Sequence, residues 1–365
     1  MQNFRNYDEA QINFSDNLNY IYGLNAQGKT NILEALFFLS CGKSHRTNRD
    51  INLLRESTEE LYVRVKAQYG NGIEIEIQLT YNGSTRKKEL SINGSRQQSI
   101  GELFGRLQLV FFSPEDLAMI KEGPAGRRRQ ADISLSQIKP SFYHDLSKYC
   151  KILMQKNILL KEVKKREKFT GTLDIWSEKL AEYGAKVICK RREYIEEIAE
   201  IAKKKHMVIS DGKENLSIGY ECFTGKEESF DEREIKEKLF TKYMENRDKE
   251  IFCGTTFIGP HRDDIIFLIN DREAKAFASQ GQQRSAVISF KMAQLELIKN
   301  VTGERPVLIL DDVFSELDEE RRNYLYNNLK DMQTFITGTE KDDIINGMFD
   351  DVKYIRVDKG GISDI

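Results

Sequence analysis

The sequence contains no apolar run of 18 or more residues, and it lacks the basic-then-apolar N-terminal pattern of a secretory signal. Its five cysteines are scattered without a C-x-x-C pair, and its four histidines do not cluster with them. These absences argue against a membrane span, a disulfide framework and a zinc site. We therefore expect a cytoplasmic protein with reduced thiols and no membrane partner.

The net charge of −2 hides an uneven distribution of charge along the chain. Residues 121–168 contain 13 Lys or Arg and 5 Asp or Glu, which leaves about −10 for the other residues. A basic surface on one module is typical of a protein that binds a polyanion such as nucleic acid. A solvated helical face without a partner would explain the same charges.

A glycine-rich loop follows a short β-prone run and precedes an apolar-periodic helix in the segment IYGLNAQGKTNILEAL, residues 21–36. This context is the one in which the pattern Gly-x-x-x-x-Gly-Lys-Thr forms a P-loop, whose backbone N–H groups hold phosphates. Lys29 is then expected to reach the β- and γ-phosphates, and the hydroxyl of Thr30 to bind Mg²⁺. The residues predicted to hold the nucleotide here are Gly23, Leu24, Asn25, Ala26, Gln27, Gly28, Lys29, Thr30 and Asn31.

Two acidic residues, Asp311 and Asp312, follow the apolar run VLIL. Four consecutive apolar residues are typical of a parallel strand covered on both faces, and sites in α/β proteins lie at the carboxyl ends of such strands. We predict that Asp311 binds Mg²⁺ together with Thr30. Asp312 is predicted to orient or deprotonate an attacking water, which makes Lys29, Asp311 and Asp312 the candidate catalytic residues.

A third polar element, Ser-Gln-Gly-Gln-Gln at residues 279–283, precedes the helix that leads to the Asp-bearing strand. Small polar residues at a helix N-terminus form a second phosphate-sensing site, with Ser279, Gly281 and Gln282 as candidates. This element resembles the signature loop of ABC-type ATPases. About 280 residues separate Lys29 from Asp311, and no Asn-Lys-x-Asp element for reading guanine is present, so the pattern favours a split ATPase head with an insertion.

The rest of the chain supports this organisation. Alternating residues predict strands at 61–69, 72–80 and 88–92 in a β-rich segment, and β/α alternation resumes near residue 265. Two stripes of apolar residues at helical spacing predict an antiparallel helical hairpin with its turn at 169–172. We expect an α/β head from residues 1–112 and 251–365, with mixed sheets around the P-loop helix, and an inserted, mainly helical domain at 113–250.

With these motifs in place, the chain resembles the RecF family of bacterial recombination-repair ATPases in the ABC/SMC superfamily. The resemblance runs nearly end to end. Its motifs are NFRNY (3–7), GLNAQGKTNILEAL (23–36), GKSHRT (42–47), FSPEDL (112–117), RRR (127–129), GPHRDD (259–264), ASQGQQRS (278–285) and LDDVFSELD (310–318).

The resemblance implies a weak, DNA-dependent ATPase that uses ATP and Mg²⁺ and forms a homodimer when ATP is bound. Its expected partners are double-stranded DNA, junctions or gaps in DNA, RecR, and RecO, with recombinase loading at gaps as the outcome. It also implies that Arg5 and Asn6 lie near the nucleotide. Arg127, Arg128 and Arg129 are the candidate DNA-binding residues.

Two questions stay open at this point. Arg46, His261 and Arg262 lie in motifs that suit either nucleotide contact or packing of the head. The alternative function is the nucleotide-binding subunit of an ABC-type transporter, which shares the ATP chemistry. Such subunits carry a glutamate where this chain has Asp312, and the long helical insertion also counts against this alternative.

Overall fold

Two compact units form the fold, in a computed structural model that describes residues 1–166, 170–225, 231–329, 332–341, 349 and 351–364. Unit 1 comprises Met1–Ala118 and Val287–Ile365, and unit 2 comprises Met119–Ala286. The first boundary lies close to the expected residue 112. The second lies about 36 residues beyond the expected residue 250, because residues 264–269 pair in a sheet with residues 216–221 of unit 2.

Strands dominate the N-terminal third of the chain, and helices dominate its middle. In chain order, the strands are β1 (Gln2–Phe4), β2 (Tyr7–Glu9), β3 (Leu18–Tyr22), β4 (Glu60–Gln68), β5 (Glu74–Asn82), β6 (Lys87–Ile92), β7 (Ser95–Arg96), β8 (Leu109–Phe112), β9 (Leu216–Glu221), β10 (Asp264–Ile269), β11 (Arg272–Glu273), β12 (Val307–Leu310), β13 (Thr334–Gly338), β14 (Val352–Asp358) and β15 (Gly361–Asp364). The helices are α1 (Lys29–Cys41), α2 (Pro114–Leu117), α3 (Pro124–Ile138), α4 (Pro140–Arg166), α5 (Thr170–Ile209), α6 (Glu232–Glu245), α7 (Arg247–Cys253), α8 (Ala274–Phe277), α9 (Gln280–Thr302) and α10 (Glu319–Asn328).

Unit 1 contains two sheets. The antiparallel sheet has the order β2-β1-β4-β5-β6-β7, and the other has the order β15-β14-β3-β13-β12-β8. In the second sheet β14, β3, β13, β12 and β8 are parallel, and β15 is an antiparallel edge. The central strands β3, β12 and β13 are buried along nearly their whole length, and for β12 the continuous apolar run VLIL predicts this burial.

Helix α1 begins with the last two residues of the P-loop motif, Lys29 and Thr30, and the body of this helix is buried. Its apolar residues Ala35, Phe38 and Leu39 join a core with alternate residues of β4, β5 and β6, including Val63 and Ile77. Burial of this kind contributes about 25 cal/mol per Å² of apolar surface, so the packing fixes α1 against the antiparallel sheet. The mixed sheets around the P-loop helix confirm the expected fold class.

Unit 2 combines helices with a small sheet in the order β11-β10-β9. Helices α4 and α5 run antiparallel. Lys190 of α5 pairs with Asp145 in the N-terminal part of α4, and Leu173, near the start of α5, clusters with Leu160 and Val163 in the C-terminal part of α4. The predicted hairpin is therefore confirmed. Of its predicted turn at 169–172, residue 169 lies outside the described residues. The prediction is wrong for residues 170–172, which form the start of α5.

Two further predictions concern the chain as a whole. All five cysteines fall within the described ranges, and none of them forms a disulfide there. Among the described helices, none combines the length and the apolar character that crossing a bilayer requires.

Candidate functional site

The glycine-rich loop connects β3 to α1, as the P-loop motif requires. Gly23 has a φ of 149°, and a Cβ at this position would lie 2.2 Å from the backbone oxygen of Val357. Gly28 has a φ of 118°, and its Cβ would lie 2.7 Å from Nδ2 of Asn6. Both positions therefore require glycine, and the loop has the tight backbone that a phosphate cradle needs.

Lys29 is the first residue of α1, and its side chain folds back over the loop. Its Nζ donates hydrogen bonds to the backbone oxygens of Gly23 at 2.5 Å and Leu24 at 2.9 Å. Burial lowers the pKa of Lys29, and the charges of Asp312 and Asp311 partly oppose this effect. The ammonium group therefore lies inside the loop and close to both candidate acids.

The two acids follow β12 directly. Asp311 is 6% exposed, and its Oδ1 accepts hydrogen bonds from Oγ1 of Thr30 at 3.1 Å and Oγ1 of Thr337 at 2.9 Å. Burial raises the pKa of Asp311, and these two hydrogen bonds act in the opposite direction. Asp312 is exposed and has a φ of 55°, in the left-handed region. Thr30 and Asp311 are 281 positions apart in sequence and are neighbours in the site. This proximity is the one expected if they share a Mg²⁺ ion.

Thr337 is a site residue that the sequence reasoning missed. Its Oγ1 accepts a hydrogen bond from the backbone N–H of Asp312 at 2.8 Å while it donates to Asp311. One hydroxyl therefore fixes both acids. The position of Thr337 follows from the parallel pairing of β12 with β13, in which Leu310 lies opposite Ile336. That pairing is the signal that could have found it.

The arrangement suits a magnesium ion and a polyphosphate. Oγ1 of Thr30 and Oδ1 of Asp311 are neighbouring hard oxygen donors, which Mg²⁺ prefers. The glycine loop and Lys29 supply the backbone and the cation that phosphate groups require. The residues present therefore fit both groups, and their assignment as ligands stays a prediction.

Arg5 and Asn6 have different surroundings. Asn6 contacts the P-loop, because its Nδ2 donates to the oxygen of Gln27 at 3.0 Å and its Oδ1 accepts from Nδ2 of Asn31 at 2.7 Å. Arg5 forms a bidentate ion pair with Glu34 of α1, at 2.8 and 2.7 Å. The structure thus places Asn6 against the loop and Arg5 against its helix. A direct nucleotide contact by either residue stays a prediction.

Glu34 is fully buried, and Arg5 and Ser44 both donate to it. Burial acts to raise the pKa of this carboxyl, but the hydrogen bonds from Arg5 and Ser44 outweigh burial, so the pKa lies below its usual value. Tyr7 adds a further contact that the sequence reasoning missed, from its hydroxyl to the oxygen of Gly28 at 3.1 Å. The NFRNY motif therefore holds the P-loop and α1 in place.

The predicted phosphate-sensing element, residues 279–283, lies in unit 2 and forms a reciprocal helix cap. The N–H of Ser279 donates to Oε1 of Gln282 at 2.8 Å, and the N–H of Gln282 donates to Oγ of Ser279 at 3.2 Å. This is a capping-box arrangement at the start of α9. Ser279 is exposed and Gly281 is half-buried, so the N-terminus of α9 is open to a ligand.

The three candidate DNA-binding arginines lie in α3 of unit 2. Arg127 is 4% exposed and pairs with Asp264 through two hydrogen bonds of 2.8 Å. Arg128 donates to the backbone oxygen of Asp263. Arg127 is therefore a packing residue in this structure, because a buried, bidentate pair leaves no free face for a phosphate. Phosphate contact by Arg128 or Arg129 stays a prediction.

His261 of the GPHRDD motif contacts other residues of unit 2. Its Nδ1 lies 2.6 Å from the hydroxyl of Tyr149, and its Nε2 lies 3.2 Å from the oxygen of Thr256. Burial lowers the pKa of His261 to about 4, so the ring is neutral at pH 7. For His261, the structure supports packing within unit 2.

Comparisons with known proteins agree with this geometry. The family model for the RecF/RecN/SMC N terminal domain matches residues 1–363. The DNA replication and repair protein RecF of Acetivibrio thermocellus is 44% identical over 360 residues, which cover 99% of this chain and 97% of the relative. The chain belongs to the RecF family. RecF of Alkaliphilus oremlandii, 44% identical over 361 residues, covers similar shares of both proteins, 99% and 97%.

Solved structures of the RecF family agree with this assignment. The structure described as the recombination mediator protein RecF-ATP in the RecFOR pathway has a TM-score of 0.92 and 38% identity, and it covers 100% of this chain and 95% of that chain. The Smc head domain from Pyrococcus furiosus has a TM-score of 0.54 and 16% identity, covering 100% of this chain and 94% of that chain. This second likeness shows the fold alone, which agrees with the expected ABC/SMC-type head fold.

Proposed function

We propose that this RecF-family protein is an ATP-dependent DNA-binding switch of recombinational repair. The observation that carries the proposal is the cluster in unit 1, where Thr30, Asp311, Asp312 and Thr337 meet beside the lysine of a P-loop. The match to a RecF structure described as containing ATP supports the choice of nucleotide.

In this proposal each loop residue has a defined task. Lys29 exchanges its two backbone acceptors for phosphate oxygens, and Thr30 and Asp311 hold Mg²⁺. When bound, the metal ion neutralises charge on the phosphate oxygens. Asp312 orients the attacking water. Because its side chain is one methylene shorter than the glutamate of ABC transporters, we expect slow turnover, which suits a timed switch.

The second phosphate-sensing element acts on another copy of the chain. Ser279 caps an exposed helix N-terminus, a position that favours bound anions. We propose that this element reads the γ-phosphate held by the partner subunit, so that ATP joins two heads. The closed dimer then holds double-stranded or gapped DNA, and hydrolysis releases it.

The DNA surface is proposed to lie on the basic segment of residues 121–168. Since Arg127 and Lys156 are buried in ion pairs, the exposed lysines of α4 become the stronger candidates for phosphate contact. Binding through phosphates weakens steeply as salt rises. Further proposals are association with RecR and RecO, loading of recombinase at gaps and a place on the nucleoid in the cytoplasm.

The transporter alternative is not favoured. The relatives that match across nearly the whole chain are DNA replication and repair proteins. The long helical insertion, which forms a hairpin within unit 2, also counts against this alternative.

Sedimentation of the purified protein with and without ATP, in the presence of labelled duplex DNA, tests the proposal. We expect ATP to convert monomer to dimer and to raise duplex affinity in a salt-sensitive way. Lys29→Ala should abolish nucleotide binding. Ser279→Arg should preserve nucleotide binding and block dimer formation.

The controls separate these steps. Lys43→Ala changes an exposed lysine outside the loop and should behave as wild type. A protein that stays monomeric at every ATP concentration, or binds DNA independently of salt, contradicts the proposal.

A further inference from the structure

The phosphate-sensing element of unit 2 is tied to a glutamate that no motif singles out. Nε2 of Gln282 donates to Oε1 of Glu214 at 2.9 Å. The second oxygen of the same carboxylate, Oε2, lies 3.0 Å from Nε2 of His206. Glu214 lies just before β9, about 65 residues ahead of the element that it contacts.

The carboxylate decides the orientation of the Gln282 side chain. An ionised carboxylate only accepts hydrogen bonds, so the amide nitrogen of Gln282 must face Glu214. The amide oxygen then faces the opposite way, where it accepts from the N–H of Ser279 at 2.8 Å. Glu214 therefore fixes which end of the Gln282 amide faces Ser279 in the helix cap.

His206 connects this glutamate to the helical hairpin. His206 is fully buried in the last turn of α5, and its backbone oxygen accepts from the N–H of Ser210 at 3.0 Å. A displacement of the end of α5 must move His206 or break its contact with Glu214. The hydrogen bonds thus run in series from His206 through Glu214 and Gln282 to Ser279.

We propose that Glu214 is a positioning residue for the phosphate-reading element, and that His206 couples its placement to the end of helix α5. This inference rests on the proposed function, since it assigns the support of the element that joins two heads. A force applied along the hairpin of α4 and α5 then changes the position in which the cap holds Ser279.

Glu214→Ala tests the proposal by removing the acceptor of the Gln282 amide. We expect ATP-driven dimer formation to weaken by about tenfold, the usual effect of losing one hydrogen bond to a charged group. Nucleotide binding by the monomer should not change, because the P-loop belongs to unit 1. Glu214→Gln keeps an acceptor oxygen and should recover most of the dimer formation. Glu221→Gln, an exposed glutamate at the other end of β9, is the matched control.

Amide hydrogen exchange gives a second readout that does not depend on dimer formation. The N–H groups of Ser279 and Gln282 should exchange faster in Glu214→Ala than in wild type, since both belong to the cap. His206→Leu, which keeps the buried volume, should produce the same change, and His206→Gln should produce less of it. Thermal unfolding of each variant shows whether the fold is retained.

The outcomes separate this inference from the proposed function. Wild-type exchange rates at Ser279 and Gln282 in Glu214→Ala would overturn the inference. Wild-type dimer formation by Glu214→Ala would overturn it as well. If wild type fails to form a dimer with ATP, the proposed function fails, and the exchange experiment still decides whether Glu214 holds the cap.

Discussion

At the scale of single residues, the site depends on side chains that contact one another before any ligand arrives. Thr337 holds Asp311 through its hydroxyl and the backbone of Asp312 through the same oxygen. Outer partners of this kind orient the groups that bind metal, and their loss commonly reduces metal affinity or activity by roughly 10–100-fold.

Thr337→Val removes this hydroxyl and keeps the shape of the side chain. We expect steady-state ATP hydrolysis to fall by about 10–100-fold with little change in ATP binding, because the change affects the two acids and not the loop. Thr337→Ser should retain most of the activity. Thr334→Val is the control, since its hydroxyl in the same strand bonds the oxygen of Met332. An equal loss of activity in Thr334→Val would contradict the argument.

Glu34 provides a prediction for pH. The pKa of its carboxyl is lower in the folded protein than its usual value of 4.5, so the ionised form stabilises the fold above that pH. This contribution is lost as the pH falls below 4.5 and through the folded pKa. In thermal unfolding from about pH 6 to pH 3, wild type should lose more stability than Glu34→Gln. Parallel curves for the two proteins would refute this assignment.

At the scale of elements, alternation and motif spacing predict the strands that pair with near neighbours. The predicted strands at 61–69, 72–80 and 88–92 correspond to β4, β5 and β6 to within two residues at each end, because each is half-buried and joined by a short turn. The predicted strand at 307–310 coincides with β12. The site residues of the P-loop could also be predicted from the local sequence, because the motif itself specifies them.

Some elements whose partners are distant in sequence could not be predicted in this way. Strand β9 lies in the inserted domain at 113–250, which the sequence predicts to be mainly helical, and its partner β10 lies about 45 residues later. The burial of β9 depends on its pairing with β10, so the sequence of β9 alone predicts a strand only weakly. Thr337 escaped notice for the same reason, since its role depends on which strand lies beside β12.

The helices of unit 2 supply a prediction for stability. Lys156 of α4 and Glu250 of α7 form an ion pair at 2.8 Å, and both side chains are almost completely buried. Lys156→Met leaves an unpaired buried carboxylate, so we expect a loss of about 3–5 kcal/mol in the free energy of unfolding. The double variant with Glu250→Gln should recover part of this loss.

A surface pair serves as the reference for this measurement. Lys242→Met breaks the exposed ion pair with Glu245 and should change stability by less than about 1 kcal/mol in chemical denaturation. Equal losses for Lys156→Met and Lys242→Met would contradict the argument from burial.

At the scale of the whole molecule, unit 1 is built from two distant parts of the chain. Strands β3 and β8 come from the first part, and β12, β13 and β14 come from the second. A fragment of residues 1–118 therefore lacks the neighbours of both its parallel strands. Unit 2 is continuous in sequence and has its own buried core.

We expect a fragment of residues 119–286 to unfold cooperatively on its own and a fragment of residues 1–118 to show no cooperative transition. Circular dichroism during thermal unfolding distinguishes these behaviours. Mixing fragments 1–118 and 287–365 provides the control, because it restores every strand of the parallel sheet. A cooperative transition in fragment 1–118 alone would contradict this view of the fold.

The interleaved sheet also sets the order of events during synthesis. Strand β3 ends at Tyr22, but its neighbour β13 begins at Thr334, about 310 residues later. At the usual rate of about 5–20 residues per second, the ribosome needs about 15–60 s to make that neighbour. Unit 2 is complete before then and can fold first. The P-loop acquires its acidic partners only after about 280 further residues have been made, so a nascent chain that has not reached Asp311 lacks the carboxylates of the site.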